Sequence, residues 1–315
     1  MLSQLYPPER LQALLLPPGQ WHPYPTAAQR APWEALPAAL CQAYVARAEA
    51  ASGEPWAALP ATLFLDYART GNRRRYEQVR DQRRSRLCDL VLGECMEGQG
   101  RFVDAVVDGV WATCEETYWG VPAHVGMQRA GVGLPDVAEP TVDLFAGETV
   151  ALLAWTLYLL GEGLDAVSPL IRQRILYEAE RRVLTPCLER DDFWWMGFDG
   201  RRVNNWNPWV NSNWLTAALL LERDPEWRQR AVAKAMASLD RFIDTSRQTA
   251  AATRGPGTGA GPPPPCWTAW SCSTGRRRAA STSTGSRSSR RWGASSTACR
   301  SPTGTSSTSR TPRPW

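Results

Sequence analysis

The sequence predicts a mainly α-helical domain of antiparallel helices over residues 1–245, followed by a disordered tail over residues 246–315. Three observations carry that prediction. Apolar residues recur at helical spacing through nearly all of residues 1–245. No stretch alternates apolar and polar residues for long enough to claim a sheet. From Ser246 to Trp315 there is no Asp, Glu, Lys, His, Asn, Leu, Ile, Val, Phe, Tyr or Met. A segment without aliphatic side chains cannot bury enough apolar surface to offset its chain entropy.

The helices are expected in order. Leu11–Leu16, Trp33–Ala48, Ala61–Ala68 and Tyr76–Met96 are separated by Pro or Gly, which interrupt helical patterns. Phe102–Tyr118 places Val103, Val106, Val107, Val110, Trp111 and Cys114 on one face. Thr141–Leu160, Pro169–Arg182, Trp209–Leu221 and Pro225–Asp244 complete the set. Pro169 and Pro225 sit where proline is tolerated, in a first helical turn, with Ser168 and Asp224 as N-caps. Helices of this length joined by short turns form a bundle, a solenoid or an (α/α) toroid, and periodicity alone does not choose among them.

Charge narrows the partners. All 31 acidic residues lie in 1–245, while 11 of the 36 basic residues lie in the tail, so the body carries 25 basic against 31 acidic groups, a net −6. The formal +5 of the whole chain therefore gives no support for nucleic-acid binding. The body cysteines Cys41, Cys88, Cys95, Cys114 and Cys187 form no CxxC pair and no His-flanked spacing, so neither a metal nor another cofactor is expected. Cys88 and Cys95 are two turns apart on one helix, about 10 Å by helix rise, too far to bridge, and reduced thiols are expected. The N-terminus has an acidic residue and prolines where a signal peptide needs a basic start and an apolar run. Val150–Gly161, the most apolar run, is 12 residues long, too short to span a bilayer. A cytoplasmic protein without a membrane partner is the expectation.

Two loops hold the unusual chemistry. One is Cys114–Val125 (CEETYWGVPAHV). The other is Phe193–Trp214, with five Trp and five Asn in 22 residues. Trp offers a flat apolar face with one donor, and Asn a donor–acceptor fork that does not titrate. Sugars present apolar C–H faces and many hydroxyls, so the pairing suits a carbohydrate cleft. The alternative is that the Trp residues are core and the Asn residues cap the helix starting near Pro208.

Asn204–Leu215 (NNWNPWVNSNWL) with Trp111–His124 (WATCEETYWGVPAH) resembles the heparinase II/III-like polysaccharide lyases. Asp143–Leu164 (DLFAGETVALLAWTLYLLGEGL) and Ser168–Pro186 (SPLIRQRILYEAERRVLTP) fit the same family, and the resemblance covers roughly residues 90–245. It implies an (α/α) toroid of antiparallel helix hairpins, here incomplete, preceding a β-sheet domain that this chain lacks. It also implies β-elimination on an acidic, uronate-containing polysaccharide. The enzyme must neutralise the uronate carboxylate before a weakly acidic proton is removed, and it needs a base and an acid, commonly His and Tyr. By the motif match, Asn205 is the neutraliser and His124 the proton-transfer group. Asn204, Trp206, Asn207, Trp209, Trp119 and Glu116 are the expected substrate contacts. Competing readings are a glycoside hydrolase on the same architecture, using carboxylates among Glu115, Glu116, Asp191 and Asp192, and a non-enzymatic glycan-binding scaffold.

The tail is written almost entirely in residues whose middle codon base is C or G, Gln248 excepted. In GC-rich coding sequence that signature belongs to the third base, so the tail reads as text one base out of register. Proteins of the resembled family typically continue with a segment like YPxDGGCDEGPxYWGRA. With one base lost at Ser246, Ser246–Gly261 can encode YPADGGCDEGPGYWGR, Cys266–Ser273 can encode LLDCLELL, and Ser281–Ser286 can encode IDVYGE. The catalytic Tyr of the GPxYW segment then falls within Gly255–Gly259, where Thr258 cannot serve as a phenolic acid. An inactive, poorly soluble chain is expected, with apolar faces of Trp209–Leu221 and Pro225–Asp244 left uncovered.

Overall fold

A computed structural model describes residues 1–252, with side chains described to Thr245. The described residues are mainly helical and contain no strand. The tail expected to be disordered lies outside them, except for its first seven residues. Those extend the last helix to Ala252, because Ser246–Ala252 holds neither Gly nor Pro and ends in three alanines.

Short N-terminal helices α1 (Leu2–Leu5), α2 (Pro8–Leu14) and α3 (Arg30–Glu34) precede α4 (Ala38–Ser52), α5 (Ala61–Thr70), α6 (Arg74–Glu97) and α7 (Val103–Cys114). The single helix expected over Trp33–Ala48 is two, because Pro37 removes a donor and forces its neighbour out of helical geometry. The second half comprises α8 (Leu144–Val167), α9 (Pro169–Ala179), α10 (Thr185–Glu189), α11 (Trp206–Leu221) and α12 (Pro225–Ala252). A π turn, Glu180–Leu184, carries α9 into α10. Its Thr185 N–H bonds Glu180 O just before Pro186, which has no N–H to continue the ladder.

Gly98 ends α6 at φ 68°, and Arg30 lies across that end, donating to the Cys95 and Met96 carbonyls. A cation on those unpaired carbonyls is favoured by the helix dipole, and a Cβ at Gly98 would stand 2.4 Å from the guanidinium carbon. At 24 residues, α8 is longer than the apolar run suggested and meets the length and composition of a membrane span. About two thirds of its most apolar window is buried among α6, α9 and α11, as in the core helix of a soluble protein.

The apolar faces expected to be bare are covered. Val210, Trp214, Ala217, Ala218, Leu220 and Leu221 of α11 are buried, as are Ala231 and Ala235 of α12. The N-terminal arm packs α1 and α2 on α12. Asp240 receives the Leu2 and Ser3 N–H groups and the Ser3 hydroxyl, and Arg228 donates to Leu16 O. Cys41, Cys88, Cys95, Cys114 and Cys187 are free thiols, and burial pushes Cys95 and Cys114 up to about 12.

The core is not wholly apolar. Arg80, Arg83 and Arg84 share one face of α6 at i, i+3 and i+4, and all three are buried. Arg83 Nε donates to Glu116 at 2.9 Å, and Arg84 grips both Glu116 carboxylate oxygens. Arg84 Nε and Arg80 Nη2 both reach Thr149 of α8, and Arg83 also donates to Ala57 O and Ala112 O. Arg182 approaches from the π turn, donating to the carbonyls of Glu116 and Cys114. Burial alone would raise the Glu116 carboxyl, but Arg84, then Arg83 and Arg80, outweigh it and hold the carboxyl below its ordinary value. Its contribution is therefore complete above the unfolded-state value of about 4.3 and lost as pH falls through the lower folded value. Glu116→Gln is expected to lose about 3–5 kcal/mol of unfolding free energy near neutrality. Denaturant titrations across the acid range should also find a shallower loss for the variant than for the wild type.

Candidate functional site

Asp143 anchors the site. It is fully buried at the start of α8, where Oδ1 accepts the N–H groups of Phe145 and Ala146. Those bonds cap the helix. Its Oδ2 accepts Val121 N–H at 3.2 Å and meets His124 Nδ1 at 2.7 Å. An oxygen so committed to N–H donors accepts the Nδ1 proton in a hydrogen bond, which leaves Nε2 as the ring nitrogen facing away from the carboxylate. Among the described residues Nε2 has no hydrogen-bond partner, and the side chain keeps 13% of its surface. Gly120 permits the arrangement, since a Cβ there would stand 2.7 Å from Asp143 Oδ1 and 2.6 Å from the Tyr118 hydroxyl.

Aromatic rings fix the imidazole. His124 lies in the short 3₁₀ turn Pro122–Met127, stacked on Phe145 at 5.6 Å and 16° and tilted against Trp206 at 4.4 Å. Trp206 in turn meets Trp194 at 5.0 Å. Trp206 and Trp209 are one turn apart on α11, both half-buried. Asn204 and Asn205 are exposed at the start of that helix. Asn204 Oδ1 takes the Trp206 N–H at 2.9 Å. Asn205 is the N-cap by position but makes no side-chain capping bond, so its amide is open to a ligand. His124, Asn204, Asn205, Trp206 and Trp209 therefore fall around the start of α11 and the His124 turn.

Three expected contacts fall elsewhere. Asn207 is fully buried and donates to Trp195 O, Ser238 O and Ser238 Oγ, tying α11 to α12. Trp119 is 1% exposed, its indole N–H is held by Thr113 O, and Arg182 stacks on its ring, so it is core rather than a sugar platform. Glu116 has its carboxylate filled by Arg83 and Arg84 and cannot reach a sugar. Of the other acids named for the hydrolase reading, Asp191 pairs with Lys234 at 2.7 Å and Asp192 with Arg190 at 2.8 Å, while Glu115 is exposed at the end of α7. A small cavity of about 30 Å³ lined by Tyr118, Trp119, Gln128, Glu139 and Arg182 includes none of the His124 or α11 side chains. Among the described residues no group of His, Cys, Asp and Glu is arranged to hold a metal ion.

Asp143, Phe145, Glu148 and Arg80 complete the face without having been expected there. Asp143 was legible as an N-cap, since Asp before an apolar run marks a helix start. No family model matches the chain, and no curated protein matches it significantly. Asn207→Ala should lower stability by about 1–3 kcal/mol by removing the amide donor to the Trp195 and Ser238 carbonyls. It should leave the His124 ring environment unchanged, which thermal melting and the imidazole NMR signals together would check.

Proposed function

We propose that the His124 face binds uronate-containing oligosaccharides and carries part of a β-eliminating site, on helices forming the incomplete (α/α) toroid that the sequence resembles. One observation carries the reading: a histidine with Nδ1 anchored on a buried carboxylate stands against Trp206, whose sequence neighbour Asn205 is exposed and makes no side-chain capping bond. In that reading Trp206 and Trp209 stack on sugar faces, and Asn204 bonds a hydroxyl. Asn205 donates to the uronate carboxylate, sharing its charge as the α-proton leaves. His124 Nε2 takes or returns that proton, while Asp143 holds the ring and stabilises its charged form.

The uncommitted Asn205 amide, with Glu116, Asp191 and Asp192 each engaged by a cation, supports elimination over the two-carboxylate hydrolase chemistry. The phenol of the resembled family belongs to Gly255–Gly259, outside the described residues, where Thr258 supplies no phenol. Binding without turnover is accordingly proposed for this chain.

Calorimetric titration with tetragalacturonate is expected to give measurable affinity. His124→Ala, Asn205→Ala and Trp206→Ala should each weaken it about tenfold, the equivalent of about 1.4 kcal/mol, and absorbance of the unsaturated product should stay flat. A gene with the reading frame restored at Ser246 should gain turnover and lose it again on His124→Ala. Absence of binding, or variants that bind like the wild type, would sink the reading.

A further inference from the structure

Glu148 shares the His124 face without belonging to its hydrogen-bond chain. Leu144, Phe145 and Glu148 are partly exposed, whereas Ala146, Gly147, Thr149 and Val150 are buried, so the open stripe of α8 runs from the ring under His124 to Glu148. The Glu148 side chain is 28% exposed, and its nearest cation, Arg80 Nη1, stands 3.8 Å away. That guanidinium is already engaged, with Asp81 at 3.1 Å and with Phe145 O and Thr149 Oγ1. From α11 the indole of Trp209 acts on Glu148 as a neutral group that favours the ionised carboxylate. Gly147 packs against Val210 and Asn213, so α8 and α11 lie against each other along this part of the face.

The charges facing Glu148 are Arg80 and Asp81 from α6 and Asp143 from its own helix, with His124 bound to Asp143. Burial raises the Glu148 carboxyl above its ordinary value; Arg80 opposes, Asp81 and Asp143 add to the rise, and Trp209 opposes. An ionised Glu148 would repel the carboxylates that a uronate chain presents on successive sugars, whereas the acid form has a proton to donate to one of them.

Resting on the uronate-binding reading, we infer that Glu148 meets the ligand as a neutral carboxylic acid. Its O–H donates to the carboxylate of a sugar stacked near Trp209, one subsite away from Asn205. Uronate binding is then tightest when Glu148 is protonated and weakens as pH rises through its titration.

The test is titration of the full chain with tetragalacturonate from about pH 4.5 to about pH 8, a range bracketing ordinary and raised carboxyl values, with neutral maltotetraose as control. Wild-type affinity is expected to fall at least about tenfold with rising pH, about 1.4 kcal/mol. Glu148→Gln keeps a donor and cannot ionise, so it should hold the tight binding at neutral pH. Any remaining pH step should vanish in Glu148→Gln combined with His124→Ala, which separates the histidine from the carboxyl. A wild-type profile that persists in Glu148→Gln, or an equal pH response to maltotetraose, would overturn the inference alone. Absence of tetragalacturonate binding at every pH would overturn the site reading and this inference together. Carboxyl NMR of Glu148 in the wild type gives a readout independent of any variant. Its titration midpoint should move up when tetragalacturonate is added, and an unmoved midpoint counts against the inference.

Discussion

Glu116 is a carboxylate nearly cut off from water, and the arrangement of the helices around it follows from what that costs. A buried ion without partners is destabilising by several kcal/mol, so Arg83 and Arg84 must both arrive at the end of α7. They arrive only if α6 lies with its arginine face inward. Arg84 and Arg80 then reach Thr149, which sets the height of α8, and Arg182 reaches the Glu116 carbonyl, which sets the π turn. An apolar cluster of the same volume would tolerate sliding. This one does not, because each small displacement leaves a charge or a donor unpaired. The cluster therefore acts on arrangement more than on net stability.

The site inherits that arrangement through α8. Once Thr149 is fixed, the start of α8 is fixed, and with it Asp143. A single carboxylate then does two jobs: one oxygen closes the first turn of the helix, and the other holds Val121 and His124. The imidazole is oriented by the same group that begins the helix, so its free nitrogen is as well placed as the core beneath it. Phe145 and Trp206 restrain the ring from the sides.

The helices were legible because their apolar faces are long and periodic, and the errors came at prolines and caps. Thr141 was read as a helix start although Asp143 is the residue that can bind the free N–H groups. The arginine-rich stretch from Arg73 to Arg86 gives no sign in its hydropathy of which cations turn inward, since burial there is decided by a partner, Glu116, that lies 32 residues beyond Arg84. For the same reason Glu116 and Asn207 looked like surface polar groups. A buried hydrogen bond to a distant residue leaves no local mark. His124 and Trp206 come from separate blocks of sequence that the fold brings into ring contact, whereas Trp119 shows that composition does not separate a platform from a core ring.

Asp143 and Glu148 sit five residues apart on one helix and divide the work of the face by environment. Asp143 is saturated by N–H donors and belongs to the interior, where it can hold a charge against His124. Glu148 stands at the edge, 3.8 Å from a guanidinium already engaged by Asp81 and two α8 acceptors. Two chemically near-identical groups thereby stand in contrasting surroundings, one saturated by N–H donors and the other held above its ordinary value chiefly by burial. Pairs of acids held in contrasting surroundings are how a fold obtains both acid and base behaviour from carboxyls alone. Here the contrast arises from the start of α8: the residue that closes the helix takes the free N–H groups, and Glu148, five residues on, lies where the backbone N–H groups are already used within the helix.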